Sequence, residues 1–197
     1  IRLSLVGSEM CIRDRLKTDE FADLYAEELK AEGGVISGEQ FVDECQVESD
    51  LELLLPATYV TGSSERMLLY RELDSLTLDK DVEAFRNRLI DRFGPVPSET
   101  EELLRIVPLR RLAARLGAEK VFLKGGRMSL FFISNPESPY YQSQAFGKVI
   151  AYMMKYTRRC DLREQNTRRS MLVKDVKNVE TAVGVLQEIV AMQVEEG

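Results

Sequence analysis

A short run of glycine, proline and serine constrains this chain most, because it stops one helical pattern and starts another. In "DRFGPVPSETEELL", Gly94 follows an apolar helical stripe at the position of a left-handed cap, and Pro95 cannot continue the helix. Ser98 and Glu101 form an S-x-x-E capping box, which predicts the start of the next helix. The sequence therefore predicts two helices joined at a corner.

Three stretches have the features of β-structure. Apolar and polar residues alternate from Val47 to Leu55, which predicts a half-buried strand. The β-rich runs "VFLK" and "RMSLFFI" are separated by Gly125 and Gly126, a strong signal for a two-residue hairpin. The stretch "SMLVKDV" predicts a further strand near the C-terminal end.

Helical periodicity fills most of the remaining chain. Pro108 lies within such a pattern and predicts a kink, or two helices in series, near Val107. Asn178 is placed to cap a final helix with a clear apolar stripe. This order of elements predicts an α+β fold, in which a helical cluster packs with a small mixed or antiparallel sheet that includes a β-hairpin.

The residue types present exclude several classes of site. The 197-residue chain contains no histidine, which rules out a Ser-His-Asp triad and a His-ligated zinc site. Cys11, Cys45 and Cys160 are too far apart for a CxxC metal pair. No run approaches the ~18 apolar residues of a membrane helix. We expect a cytoplasmic, non-enzymatic chain without catalytic, cofactor-binding or metal-binding residues and without a membrane partner.

The net charge of -6 conceals a strong asymmetry along the chain. Residues 1–104 carry 24 acidic and 11 basic residues, whereas residues 105–174 carry 4 acidic and 15 basic ones. A basic middle segment in an acidic chain indicates a nucleic acid, an acidic protein partner, or pairing with the acidic segment of the same chain. The sequence leaves these three interpretations open.

Composition divides the chain into four segments. Residues 1–15 contain "SLVGSEMCIRDR", which is similar to translated sequencing-adapter read-through, and we expect this segment to be non-native. Residues 16–32 carry one apolar helical stripe without a local partner, as the last helix of a preceding domain would. Residues 33–46 are acidic and glycine-rich, which predicts a linker. Residues 47–194 are expected to form the main domain.

Several motifs of this main domain carry a family resemblance. They are a proline-terminated strand in "LLLPATYVTG", a helix with Arg66 and Tyr70 four residues apart, and the "DRFGPVP" turn followed by "LRRLAARLGAEKV". The final strand and helix, "SMLVKDVKNVETAVGVLQEIV", complete the pattern. From Val47 to Met192 the chain resembles the C-terminal, regulatory TRCF domain of bacterial transcription-repair coupling factors.

The resemblance implies an indirect function. Coupling factors are multi-domain, ATP-driven DNA translocases that displace RNA polymerase stalled at DNA damage and recruit repair through a UvrB-like module that binds UvrA. The terminal domain is implied to pack on the UvrB-like module of the same chain, to mask its UvrA-binding face and to restrain the motor. ATP and magnesium would belong to the full-length parent, because residues 1–197 contain no Walker A motif. Residues 16–32 would then end the motor domain.

The same resemblance implies a docking surface on the helix that ends in D-R-F-G. Its candidate residues are Arg88, Asp91 and Arg92, with Asp91 at the position where the family has an acid that faces arginines of the partner module. Arg88 departs from the family, which often has an acid one turn before Asp91. For Asp91 alone, a solvated or locally paired carboxylate is as plausible as an interface residue.

The alternative is a basic α+β module that binds nucleic acid. Its candidate patch is Arg110, Arg111 and Arg115. Further candidates in the basic segment are Arg105, Lys120, Arg158, Arg159, Arg163, Arg168 and Arg169. Phosphate binding needs such charges on one face, and aromatic rings beside them would have to be exposed for stacking. Phe131, Phe132 and Phe146 are expected to be buried, which counts against this alternative.

Overall fold

A computed structural model describes residues 41–165 and 168–193 of the chain. The helices are α1 (Ser63–Ser75), α2 (Asp79–Phe93), α3 (Ser98–Leu104), α4 (Ile106–Arg115), α5 (Gln144–Lys155) and α6 (Val179–Val190), with a 3-10 turn at Pro139–Gln142. The strands are β1 (Gln46–Ser49), β2 (Ala118–Lys124), β3 (Arg127–Phe132), β4 (Cys160–Gln165) and β5 (Arg168–Lys174). The predicted α+β fold is confirmed.

The five strands form one mixed sheet in the order β1-β2-β3-β5-β4. β1 runs parallel to β2, and the other neighbours are antiparallel. Gly125 and Gly126 join β2 to β3 with φ angles of 59° and 69°, values that few residues other than glycine adopt. The predicted hairpin is therefore confirmed.

One face of the sheet packs against α4, α5 and α6 to form the sheet core. Alternate strand residues such as Val121, Leu130 and Met171 are fully buried there, as the two-residue period of a strand requires. Asn178 Oδ1 accepts a hydrogen bond from the Thr181 N–H at 2.8 Å, so the predicted cap of α6 is confirmed.

A separate helical core is formed by α1, α2, α3 and the start of α4. Its buried side chains are Leu55, Val60, Leu69, Leu73, Phe85, Leu89, Leu103, Leu104 and Val107. Phe85 and Leu89 project from one face of α2 because they lie four residues apart. This core fixes the helices on both sides of the glycine-proline corner.

The corner has the predicted shape but not all of the predicted bonds. Gly94 ends α2 with φ 86° and ψ -163°, a conformation almost restricted to glycine, although it differs from the expected left-handed cap. The predicted capping box is wrong: Pro97 is the N-cap of α3, and Ser98 makes no capping bond. Glu101 instead pairs with Arg86 of α2 at 2.7 Å. A cross-helix ion pair has replaced the local cap.

The prediction of two helices in series is confirmed, with the break at Arg105. Pro108 lies in the first turn of α4, where its missing N–H costs no intrahelical hydrogen bond. The Leu109 N–H donates to the Arg105 carbonyl at 3.1 Å and continues the helical path across the break.

Three sequence expectations differ from the structure. The strand expected from Val47 to Leu55 ends at Ser49, because the chain then bends and Leu55 joins the helical core. β4 was not expected, because its sequence "CDLREQ" is polar, as is common on an edge strand. Val42 and Cys45, inside the predicted linker 33–46, are buried in the sheet core, so the packed domain begins before residue 47. The other segment boundaries stay predictions, and residues 1–40 lie outside the described residues.

Replacing Gly117 by alanine should strongly destabilise the fold. Gly117 has a φ of 76°, and a Cβ atom there would lie 2.1 Å from Cε2 of Tyr140. Tyr140 is fully buried, and its hydroxyl donates to the Leu116 carbonyl at 2.6 Å, so the ring cannot move away freely. We expect Gly117→Ala to lower the free energy of unfolding by about 3 kcal/mol or more, measured by urea denaturation.

Gly125→Ala is the matched control for Gly117→Ala. Gly125 also has a positive φ, 59°, but no atom lies within 4 Å of a Cβ placed there. Its substitution should cost only the backbone strain, about 1–2 kcal/mol. Equal losses for the two variants would show that the contact with Tyr140 does not constrain the chain.

Candidate protein-interaction site

The candidate docking residues lie on the exposed side of α2, beside α1. Arg88 forms an ion pair with Glu72, and Arg92 forms one with Glu65. The pairs run in opposite directions along the two helices, as an antiparallel arrangement requires. The Arg88 and Arg92 side chains remain 58% and 60% exposed, so each pair contributes at most ~1 kcal/mol to stability.

Asp91 differs from its two neighbours in this set. It is exposed and has no ion pair or hydrogen bond with any residue that the structure describes. The structure thus brings Arg88, Asp91 and Arg92 onto one exposed stretch of α2, with both arginines engaged and the carboxylate available. We call Arg88, Asp91 and Arg92 the α2 surface.

The corner behind the α2 surface is held by two polar contacts. The Tyr59 hydroxyl donates to the Gly94 carbonyl at 2.9 Å and lies 3.2 Å from the Leu89 carbonyl. Nε of Arg86 donates to Glu101 at 2.8 Å, and this hydrogen bond raises the pKa of the guanidinium. The first contact fixes the end of α2 to the segment before α1, and the second fixes α2 to α3.

Arg66 and Tyr70, the residues four apart in α1, both hold the segment that precedes α1. Arg66 donates to the Val60 carbonyl at 2.6 Å, and the Tyr70 hydroxyl accepts a hydrogen bond from the Leu55 N–H at 2.7 Å. Leu55 and Val60 are buried in the helical core, so these bonds satisfy backbone groups close to apolar side chains. The motif is thus explained by packing.

The candidate basic patch on α4 is largely paired within the domain. Arg110 contacts Asp74 at 2.8 Å, and Arg111 pairs with Asp79. Arg115 is exposed and has no ion pair within residues 41–165 and 168–193. At Arg110 and Arg111, the structure agrees with pairing between the acidic and basic segments of the chain.

Several titratable groups that are buried in the sheet core have raised pKa values. Burial raises the pKa of the Cys45 thiol to about 12 and that of the Tyr152 hydroxyl to about 12. Burial also raises the pKa of Tyr140 well above its usual range. These groups stay protonated at neutral pH, and thiols in this state are poor nucleophiles.

Residues 41–165 and 168–193 contain neither a cluster of metal-ligating side chains nor a membrane-spanning helix. No group of three or more Asp, Glu, Cys or His side chains there could hold a metal ion. Within the same residues, no helix is long and apolar enough to cross a membrane.

Comparison with known proteins identifies the domain. The family model of the TRCF domain matches residues 49–143, from the end of β1 to the turn before α5. The chain carries a TRCF domain. The resemblance inferred from the motifs around the corner is therefore confirmed. α5, β4, β5 and α6 lie outside the matched residues.

The TRCF match agrees with the curated relatives. The transcription-repair-coupling factor of Rickettsia bellii is 29% identical over 169 residues, covering 83% of this chain and 14% of the relative. The Rickettsia typhi protein of the same name is 26% identical over 83% of the chain, and that of Staphylococcus haemolyticus is 24% identical over 74%. The chain thus spans about one-seventh of the length of the Rickettsia relatives.

A solved structure shares the TRCF fold. The crystal structure of the C-terminal domain of transcription-repair coupling factor superposes with a TM-score of 0.58, at 18% identity, over 75% of this chain and 93% of that one. At that level of identity the comparison supports the fold, including the mixed sheet with helices.

The sequence did not reveal which acidic residues pair with the arginines of the α2 surface. Glu65 and Glu72 of α1 orient Arg92 and Arg88, yet they lie 27 and 16 residues away in sequence. Their seven-residue spacing, opposed to the four-residue spacing of the arginines, was the available signal. It becomes informative only once α1 and α2 are known to be antiparallel.

Tyr70→Phe should destabilise the TRCF domain. The substitution removes the acceptor of the Leu55 N–H and leaves a buried donor unsatisfied, which costs about 1–3 kcal/mol in urea unfolding. Tyr152→Phe is the control, because Tyr152 is equally aromatic and its buried hydroxyl has no hydrogen-bond partner among the described residues. We expect that control to be neutral or slightly stabilising. A Tyr70→Phe loss no larger than the control would contradict the role of this bond.

Stability should fall at alkaline pH, in part through Tyr152. Its pKa is about 12 when folded and 10.0 in the absence of burial, so above pH 10 the unfolded chain loses this proton while the folded chain keeps it. The titration of Tyr152 therefore leaves the free energy of unfolding unchanged below pH 10 and lowers it as the pH rises to 12. Tyr152→Phe should reduce the slope of unfolding free energy in this window by up to about 1.4 kcal/mol per pH unit. Identical slopes for both proteins would contradict the assignment.

Proposed function

We propose that this TRCF domain is an intramolecular docking and autoinhibition domain of a transcription-repair coupling factor. It would pack on the UvrB-like module of the parent protein, mask the face that binds UvrA, and restrain the ATP-driven translocase that displaces stalled RNA polymerase. ATP, magnesium and DNA would be bound by the parent, in the cytoplasm. The TRCF match over residues 49–143 supports this proposal.

The observation that carries the docking site is the free carboxylate of Asp91. Exposed ion pairs contribute little individually, and a surface whose charges are already paired has little to offer a charged partner. On the α2 surface the two arginines are occupied by Glu65 and Glu72, whereas Asp91 has no such partner among the described residues. An arginine of the docked module could therefore pair with Asp91 without breaking a contact inside the domain.

The rigidity of the corner supports the same choice of surface. Tyr59 and the Arg86–Glu101 pair fix the end of α2, so Asp91 is presented from a helix with little freedom to move. A preorganised surface loses less conformational entropy on binding than a loop would. Docking on α2 would therefore lose little conformational entropy, so that weak ion pairs could contribute to the affinity.

Asp91→Lys should weaken docking to the UvrB-like module of the coupling factor from the same organism. The change removes an acceptor and places a cation opposite the expected arginines, so we expect the Kd to rise about fivefold or more. Affinity is measured by calorimetry at low salt with the full 197-residue chain, after circular dichroism has shown that both proteins are folded.

Glu137→Lys is the matched control, because it makes the same charge change at an exposed loop position away from α2. Its Kd should stay within about twofold of the wild-type value, since distant exposed charges are screened. Equal weakening by both variants would remove Asp91 from the interface. Absence of wild-type binding, with both partners folded, would reject the docking function itself.

A further inference from the structure

The sheet has a second face that no helix of residues 41–165 and 168–193 covers. Alternate residues of each strand point away from the sheet core, and Phe122, Phe131 and Leu172 on this side belong to neither hydrophobic core of the described residues. Their neighbours Val121 and Leu130, on the opposite side, are fully buried. We call the side that carries Phe122, Phe131 and Leu172 the open sheet face.

Two aromatic rings lie side by side on the open sheet face. Phe122 of β2 and Phe131 of β3 contact each other edge to face, with ring centroids 5.3 Å apart, and both are only half-buried. Nζ of Lys120 lies 4.6 Å from the centre of the Phe122 ring. The sequence predicted that Phe131 would be buried. This prediction is wrong, because Phe131 lies half-exposed on the open sheet face. Half-exposed rings on neighbouring strands form a platform on which flat, apolar groups can stack.

Cations surround this aromatic platform. The strand positions of the open sheet face carry Lys120, Lys124, Arg127, Arg163, Arg168 and Lys174, against the carboxylates of Glu48 and Asp161. This face therefore has a net charge of about +4, although the whole chain carries -6. The contrast in sign favours a polyanionic ligand.

Most of this positive charge is available to a ligand. Glu48 pairs with Lys120 at 2.7 Å, and Asp161 pairs with Lys174 at 3.2 Å. Lys124, Arg127 and Arg163 are exposed and form no ion pair with a residue of the described ranges. These three cations are therefore unpaired within those ranges, whereas Arg110 and Arg111 of α4 pair with acids of α1 and α2.

We propose that the open sheet face binds single-stranded nucleic acid. Unpaired bases would stack on Phe122 and Phe131, and the phosphate backbone would follow the cations of the neighbouring strands. Charge alone would suit a duplex or an acidic peptide equally well. The aromatic pair favours a single strand, because a duplex hides its base faces and the carboxylates of an acidic peptide do not stack, whereas every nucleotide of a single strand carries a ring that can stack. This site is additional to the docking proposed for the α2 surface and does not depend on it.

The test is a fluorescence anisotropy titration of the full chain with labelled oligothymidine and oligouridine of about 12 nucleotides, and with a duplex of the same length. Titrations at about 50 mM and about 200 mM salt give the salt dependence. We expect saturable binding of either single strand with a Kd below about 100 μM at the lower salt, and at least fivefold weaker binding of the duplex. The thymidine and uridine probes distinguish a preference for DNA from one for RNA.

Two double variants separate stacking from charge. Phe122→Leu with Phe131→Leu keeps apolar side chains on the sheet and should raise the Kd for single strands at least fivefold, with the melting temperature recorded to confirm folding. Lys124→Gln with Arg127→Gln should reduce the slope of log K against log salt by about 1.4, since each phosphate contact contributes about 0.7 for single strands. Arg71→Gln with Lys80→Gln makes the same charge change on α1 and α2, away from the open sheet face, and should leave the slope unchanged.

Several outcomes would overturn the proposal. No binding by the folded wild-type chain at low salt would reject it. Unchanged affinity in the folded phenylalanine variant, or equal affinity for the duplex, would show that bases do not stack on the platform. An equal effect of the control variant on α1 and α2 would indicate general electrostatic attraction. Displacement of the oligonucleotide by polyglutamate at an equal concentration of charge would identify an acidic protein partner instead.

Discussion

The constraint on which the rest of this domain depends is that one pair of serial helices serves two hydrophobic cores. Leu103, Leu104 and Val107 pack into the helical core, whereas Ile106 and Leu109, on the other side of the same helical path, pack into the sheet core. Neither core can therefore be rearranged without moving α3 and α4. Arg105 breaks the path and Pro108 is tolerated beside that break, so the helix pair can satisfy both cores without losing a hydrogen bond.

The position of α4 also explains why part of the basic segment pairs with acidic residues of the same domain. Arg110 and Arg111 leave α4 on the side of α1 and α2 and meet Asp74 and Asp79 there. A basic segment next to acidic helices is therefore partly a consequence of packing and does not by itself indicate a nucleic acid. The charges that carry information about partners are those left unpaired by this arrangement. Among the described residues, they include the carboxylate of Asp91 on the α2 surface and a group of cations on the open sheet face.

Local sequence signals predicted those parts of the fold that local chemistry determines. Gly125 and Gly126 specify their turn through backbone conformation alone, and Asn178 caps a helix three residues away. The capping box at Ser98 failed because Glu101 gains more from Arg86, a residue on another helix. Pairings of this kind depend on how elements pack, and no local pattern contains that information. The candidate docking residues were located on one surface through the family resemblance, while their acidic partners on α1 required the tertiary structure.

The exposure of Phe131 also depends on tertiary structure and could not be predicted from the local sequence. An aromatic residue in a β-rich run is predicted to be buried, because apolar side chains usually enter a core. Which side of a strand faces the core is set by register, and a sheet covered by helices on one side only must expose alternate residues on the other. The half-exposed rings of the open sheet face are therefore a product of topology. Because α2 is anchored in the helical core and β2 and β3 in the sheet core, a partner on one surface need not displace side chains of the other.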